Sequence, residues 1–146
     1  METTANLGLR PFMPRGNGTN KRDFLYVDDV CDLYLCLSYN LYKNQELRGE
    51  VFNAGTGHGY TVNEVVQKLC MIFDNNLLYE KILKKFKNRS LTGEIEHQFM
   101  TYKKLKKYFQ WEPQHKIEDG LKSTIEWYSK FLNKYKYESF TEKNKS

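Results

Sequence analysis

Arg22 stands just after the turn signal Gly16-Asn17-Gly18 and just before the apolar run Phe24-Leu25-Tyr26-Val27. An arginine held between a turn and a strand presents a planar fork of donors suited to a phosphate. The plainer reading is a surface ion pair with Asp23. A second cluster, Asn53 to Gly59 (NAGTGHG), falls between an apolar run and a helix start. Backbone N–H groups there could cradle an anion. Its GxGxG spacing is not the GxGxxG of a dinucleotide fingerprint, and small residues also serve a tight strand-to-helix turn. Tyr39 with Lys43, and Tyr102 with Lys106, have the Tyr-x-x-x-Lys spacing that lets an ammonium group prime a phenol for proton abstraction. With 11 Tyr in a lysine-rich chain, two such pairs are what chance supplies, and neither is assigned a role. His58, His97 and His115 are scattered and lack partners at metal-ligand spacing.

The elements that must position these groups belong to a chain of 146 residues, 40% hydrophobic and 15% aromatic. That is enough for a packed core without disulfides or metal. No run approaches the ~20 apolar residues of a membrane span, and the N-terminus lacks a secretory signal. Cys31, Cys36 and Cys70 sit in apolar runs without CxxC spacing and read as reduced, buried residues of a cytoplasmic protein. The net charge of +5 is uneven: residues 1–80 carry seven basic and ten acidic groups, residues 81–146 sixteen and eight. A basic half suits an anionic partner, a polyphosphate ligand or nucleic acid, and equally an ordinary solvated face.

Phe24 to Val27 reads as a strand feeding a helix capped by Asp28, with Val30, Tyr34, Leu37 and Leu41 as its buried stripe, ending near Lys43-Asn44. Glu50 to Ala54 (EVFNA) reads as a second strand. Thr61 and Glu64, three apart, predict a capping box on a helix with Val62, Val65, Val66, Leu69 and Phe73 inside. Residues 74–80 read as a connection, Ile82 to Phe86 as a strand or loop, and 88–100 as irregular. A basic helix over Tyr102 to Phe109 and a last helix over Ile117 to Leu132 follow, with Ile117, Leu121, Ile125, Tyr128 and Leu132 on its inner side. Residues 133–146 form a polar tail.

The string GNGTNKRDFLYVDDV resembles the G-[DN]-G-x-x-x-R-D-[FYW]-x-x-V-x-D segment of NAD-dependent nucleotide-sugar epimerases and dehydratases, the extended short-chain dehydrogenase/reductase family. GEVFNAGTG, TVNEVVQKL, KKLKKYFQWEP and IEDGLKSTIEWY follow in the family's order, so the resemblance runs over roughly residues 8–132. The family's GxxGxxG and its catalytic Tyr-x-x-x-Lys precede this segment, and residues 1–15 hold no counterpart. The implied fold class is α/β: the C-terminal substrate-binding lobe (residues 1–132), mostly helical with a few short strands, the Rossmann cofactor domain largely missing.

By resemblance, Arg22 falls on the arginine that contacts the substrate's diphosphate. Arg89 is the candidate for a second family arginine, about two residues out of register before Gly93-Glu94, and Asn53 lies at the family's Asn-Gly strand end. Phe109-Gln110 stands where Leu-Gly is usual before Trp-x-Pro, a departure read as packing. The implied ligand is a nucleoside-diphosphate sugar; NAD serves the complete enzyme and is not expected on this chain alone, which also lacks a catalytic residue. The expected protein partner is the missing N-terminal half or a second copy, with no nucleic-acid or membrane partner. The alternatives are a non-catalytic nucleotide-sugar or protein-interaction module, or a basic nucleic-acid-binding domain built on Lys81 to Lys107.

Overall fold

The computed structural model describes residues 16–87 and 93–143, with side chains as far as residue 132. In chain order the elements are β1 (Lys21–Arg22), α1 (Val27–Lys43), a 3-10 turn (Gln45–Leu47), β2 (Tyr60–Thr61), α2 (Val62–Ile72), α3 (Asn76–Phe86), β3 (His97–Gln98), α4 (Lys103–Phe109) and α5 (Ile117–Lys143). They divide into two units, each drawn from two separate stretches of sequence.

Among the described residues, the first unit joins positions 16–23 with the described part of His58–Phe99. β1 is its central strand, antiparallel to β2 (Lys21↔Thr61, Arg22↔Tyr60) and parallel to β3 (Lys21↔His97, Arg22↔Gln98). The capping box on α2 forms as the sequence predicts: Glu64 N–H donates to the Thr61 hydroxyl, and the Thr61 N–H donates to the Glu64 carboxylate at 2.7 Å. Residues 76–86 are helical rather than a connection followed by a strand or loop. Asn75 caps α3 through the Leu78 N–H, and Tyr79, Ile82, Leu83 and Phe86 recur at helical spacing onto Val66 and Cys70. The short run Ile82 to Phe86 is apolar enough to pass for either element, and tertiary contact with α2 decides it. Burial pushes the Cys70 thiol's pKa up. Gly18 closes the unit at a left-handed φ of +80°, where a Cβ would lie 3.0 Å from the Phe86 ring.

The second unit joins Phe24–Gly57 with Met100 onward. Leu33, Leu105 and Trp111 form its core, with Leu25, Leu37, Phe52 and Phe109 packed around them. Phe24 to Val27 is not a strand: the ladder sits two residues upstream, and Tyr26, not Asp28, is the N-cap of α1. Glu50 to Ala54 is irregular and joins no ladder among the described residues. β-forming composition reports burial of Leu25 and Phe52 in both cases, not strand pairing.

The stripe on α1 also differs. Asp29 and Leu33 are its buried residues, with Cys36, Leu37 and Asn40 half-buried, whereas Tyr34 is 67% exposed. A buried aspartate breaks the apolar period, so the sequence pattern points one position off. The opposite face carries Val27, Cys31, Leu35 and Tyr42, all exposed, so α1 is apolar on two sides. Cys31 is therefore not a buried cysteine. α5 continues past Leu132 to Lys143. Its inner side follows expectation, except that Tyr128 is exposed. No helix among the described residues is long and apolar enough to cross a membrane.

Candidate functional site

Arg22 lies on the central strand of the first unit, its side chain 30% exposed. The turn before it is set by Asn17, whose amide oxygen accepts from both the N–H and the hydroxyl of Thr19. Its neighbour Asn20 is buried, and the Asn20 amide donates to Glu94 at 3.0 Å. The same Glu94 oxygen lies 3.9 Å from the Arg22 guanidinium, which also donates to the Lys21 carbonyl at 2.8 Å. The carboxylate that meets Arg22 is therefore Glu94, not the chain neighbour Asp23. At 3.9 Å and with partial exposure the pair is a weak tether, leaving most of the guanidinium's donors for a ligand.

Tyr60, Glu94, Asn20 and Gln98 are the site neighbours that sequence reasoning missed. Asn20 is only two residues from Arg22, whereas the proximity of Tyr60, Gln98 and Glu94 is set by strand register and by a loop about 70 residues away, for which one sequence carries no signal. Asn53 is exposed and belongs to the second unit. Arg89 lies outside the described residues.

The glycine-rich turn does not fit a dinucleotide. A Cβ at Gly59 would lie 2.8 Å from the Phe99 ring, so that glycine serves close packing. The N-terminus of α2 is already closed by Glu64, whose carboxyl is held below its usual pKa, first by the Thr61 N–H and then by the Thr61 hydroxyl. A carboxylate in that position repels the phosphate the turn would have to hold.

In the second unit, Asp29 is 1% exposed and takes three contacts from one loop. The Gln114 and His115 N–H groups donate to its two oxygens at 3.1 and 3.2 Å, and the His115 ring Nδ1 lies 2.8 Å from Oδ1. Glu112 and Asp32 join Asp29 around a cleft of about 400 Å³. Glu112 pairs with Lys106 and Asp29 with His115, so the cleft is acidic but partly neutralised, and it offers a polyphosphate no arginine.

Comparison with known proteins gives this arrangement its class. The family model described as GDP-mannose 4,6 dehydratase matches residues 1–124. The chain belongs to that family, and its fold is that of extended short-chain dehydrogenase/reductases, matched in their C-terminal part. Among relatives, a trifunctional UDP-glucose 4,6-dehydratase/UDP-4-keto-6-deoxy-D-glucose 3,5-epimerase/UDP-4-keto-L-rhamnose-reductase of Arabidopsis thaliana is 33% identical over 78% of this chain and 16% of its own length. A UDP-glucuronate 4-epimerase of Thermodesulfobacterium geofontis is 28% identical over 81% of this chain and 33% of its own. Two solved structures at 29% identity align well. UDP-glucose 4-epimerase from Thermotoga maritima with UDP-glucose has a TM-score of 0.60 over 84% of this chain and 36% of its own. dTDP-glucose 4,6-dehydratase from Bacillus anthracis in complex with NAD has 0.62 over 88% and 37%. The chain thus spans about a third or less of these relatives.

Proposed function

We propose that this chain binds a nucleoside-diphosphate sugar and forms the substrate-binding part of an NAD-dependent epimerase or 4,6-dehydratase. The observation that carries the reading is Arg22, on the central strand at the family's arginine position, its guanidinium 3.9 Å from Glu94 and donating once, to the Lys21 carbonyl at 2.8 Å. Arg22 clamps the diphosphate, and Asn53 and Arg89 supply further substrate contacts. The glycine-rich turn does not fit a dinucleotide, so this reading assigns NAD and the hydride chemistry to the remainder of the family fold and no turnover to the chain alone.

The same reading places the protein in the cytoplasm and gives it a protein partner, the remainder of that fold or a second copy. The exposed apolar face of α1 supports this: Leu35 is 70% and Tyr42 87% exposed.

A thermal-shift panel of UDP-glucose, dTDP-glucose and GDP-mannose tests the ligand. A ligand at a hundred times its dissociation constant adds ~2.7 kcal/mol of stability. Arg22→Ala is expected to weaken binding by ~1.5–3 kcal/mol, the range for hydrogen bonds to a charged group. No shift with any nucleotide sugar, or equal affinities of wild type and variant by calorimetry, refutes the reading.

A further inference from the structure

We infer that Tyr60 and Arg22 form a two-part subsite on one face of the small sheet, Arg22 for the phosphates and Tyr60 for the nucleoside of a nucleoside diphosphate. The inference deepens the reading of Arg22 given above and rests on it.

The register of β1 and β2 sets Tyr60 directly opposite Arg22. Directly opposed residues project from the same face, their Cβ atoms about 4.5–5.5 Å apart. The ring is held from its own unit: the His58 ring meets it edge-on at 4.4 Å between centroids, and the Lys68 ammonium lies 5.5 Å from its centroid. A tyrosine restrained in this way presents an aromatic surface at little further entropic cost. On the other flank, β3 aligns the exposed Gln98 with Arg22, adding an amide to the same row.

The three side chains match the parts of one ligand class. A guanidinium pairs with phosphate oxygens, and an adjacent ring offers a base or ribose a surface to stack on. The competing account is that Tyr60 only stabilises the sheet as a cross-strand neighbour of a cation. The two accounts differ in one respect: stacking discriminates between ligands with and without a nucleoside, and sheet stabilisation does not.

Calorimetric titration of the full chain with uridine diphosphate and with inorganic pyrophosphate separates them. Wild type is compared with Tyr60→Ala, Tyr60→Leu, Tyr60→Phe and Arg22→Ala. The expected result is a roughly tenfold loss of uridine diphosphate affinity in Tyr60→Ala, with pyrophosphate affinity kept within about twofold. Tyr60→Phe keeps both affinities, and Arg22→Ala lowers both. Tyr60→Leu retains apolar bulk for the sheet and is expected to follow Tyr60→Ala, so a folding defect in the alanine variant leaves the comparison intact. Equal losses for both ligands in the Tyr60 variants, or no loss for either, overturn the subsite and leave Arg22 standing. A wild type that binds neither ligand overturns the reading of Arg22 itself.

Discussion

The Asp29 carboxylate meets His115 at 2.8 Å, although 86 residues of sequence separate the two. Asp29 is the last aspartate of the R-D-F-x-x-V-x-D string, and His115 sits two residues beyond the Trp-x-Pro segment. Asp29 therefore ties the start of α1 to the approach to α5. The same approach is fixed by Gly120, where a Cβ would stand 3.0 Å from the Tyr26 ring. Two family motifs far apart in the chain are thus halves of one joint.

Asp29→Ala is expected to destabilise the protein by about 3 kcal/mol, since it strands two backbone N–H groups that now donate to a charged acceptor. Asp29→Asn, which keeps an acceptor, should cost about half as much. Urea unfolding followed by circular dichroism measures both; a change within error would mean water replaces the carboxylate freely.

The same joint makes stability depend on pH. His115 titrates above its ordinary value near 6.5, chiefly through the hydrogen bond to Asp29, with the charges of Asp29, Asp28 and Asp119 adding to it. A raised pKa in the folded state means the protonated ring stabilises the fold. That contribution is complete below about pH 6.5 and is lost as the pH rises through the raised value. The urea midpoint of wild type should fall between pH 6 and pH 9, and His115→Gln should flatten that fall.

Gln110 ends α4 at φ 55°, ψ 20°, a left-handed conformation costing a side-chain-bearing residue about 1 kcal/mol. The family pattern has glycine there, so the departure at Phe109-Gln110 is one of backbone strain and not of packing alone. Gln110→Gly is expected to raise stability by ~0.5–1 kcal/mol, read as a higher melting temperature. An unchanged or lower value would show that the Gln110 side chain makes up the strain.

Gly18 and Gly49 both have φ near +80°, but a Cβ meets the Phe86 ring at 3.0 Å only at Gly18, and open space at Gly49. Gly49→Ala should cost about 1 kcal/mol, from the backbone term alone. Gly18→Ala should cost about 2–3 kcal/mol, because contact is added to strain. Equal losses in denaturant melts would mean that the Phe86 ring moves aside freely.

What the sequence revealed follows from how local each feature is. The Thr61–Glu64 box and the spacing of α2 are written within four and eleven residues, and they are read directly. The strands are two residues long, too short for any period, so Phe24 to Val27 and Glu50 to Ala54 drew the assignment that belongs to Lys21–Arg22 and Tyr60–Thr61. The α1 stripe is misread because its most buried member is charged, and Gln114 and His115, far along the chain, supply the donors that explain that burial. At the candidate site Arg22 is legible through its motif. Tyr60, Gln98 and Glu94 are not, because strand register and a distant loop bring them to it.

The interleaving of the two units sets an order in time. During synthesis, every residue of the first unit has been made once Phe99 is added, while the second still lacks Leu105 and Trp111. Asp29 waits 85 residues for Gln114. At ~5–20 residues per second that wait lasts roughly 4–17 s, during which α1 has neither its core nor its carboxylate's partners. A released chain truncated after residue 100 should therefore protect Cys70 from alkylation while leaving Cys36 open to it. The second unit's assembly is then the step most exposed to chaperones and proteases.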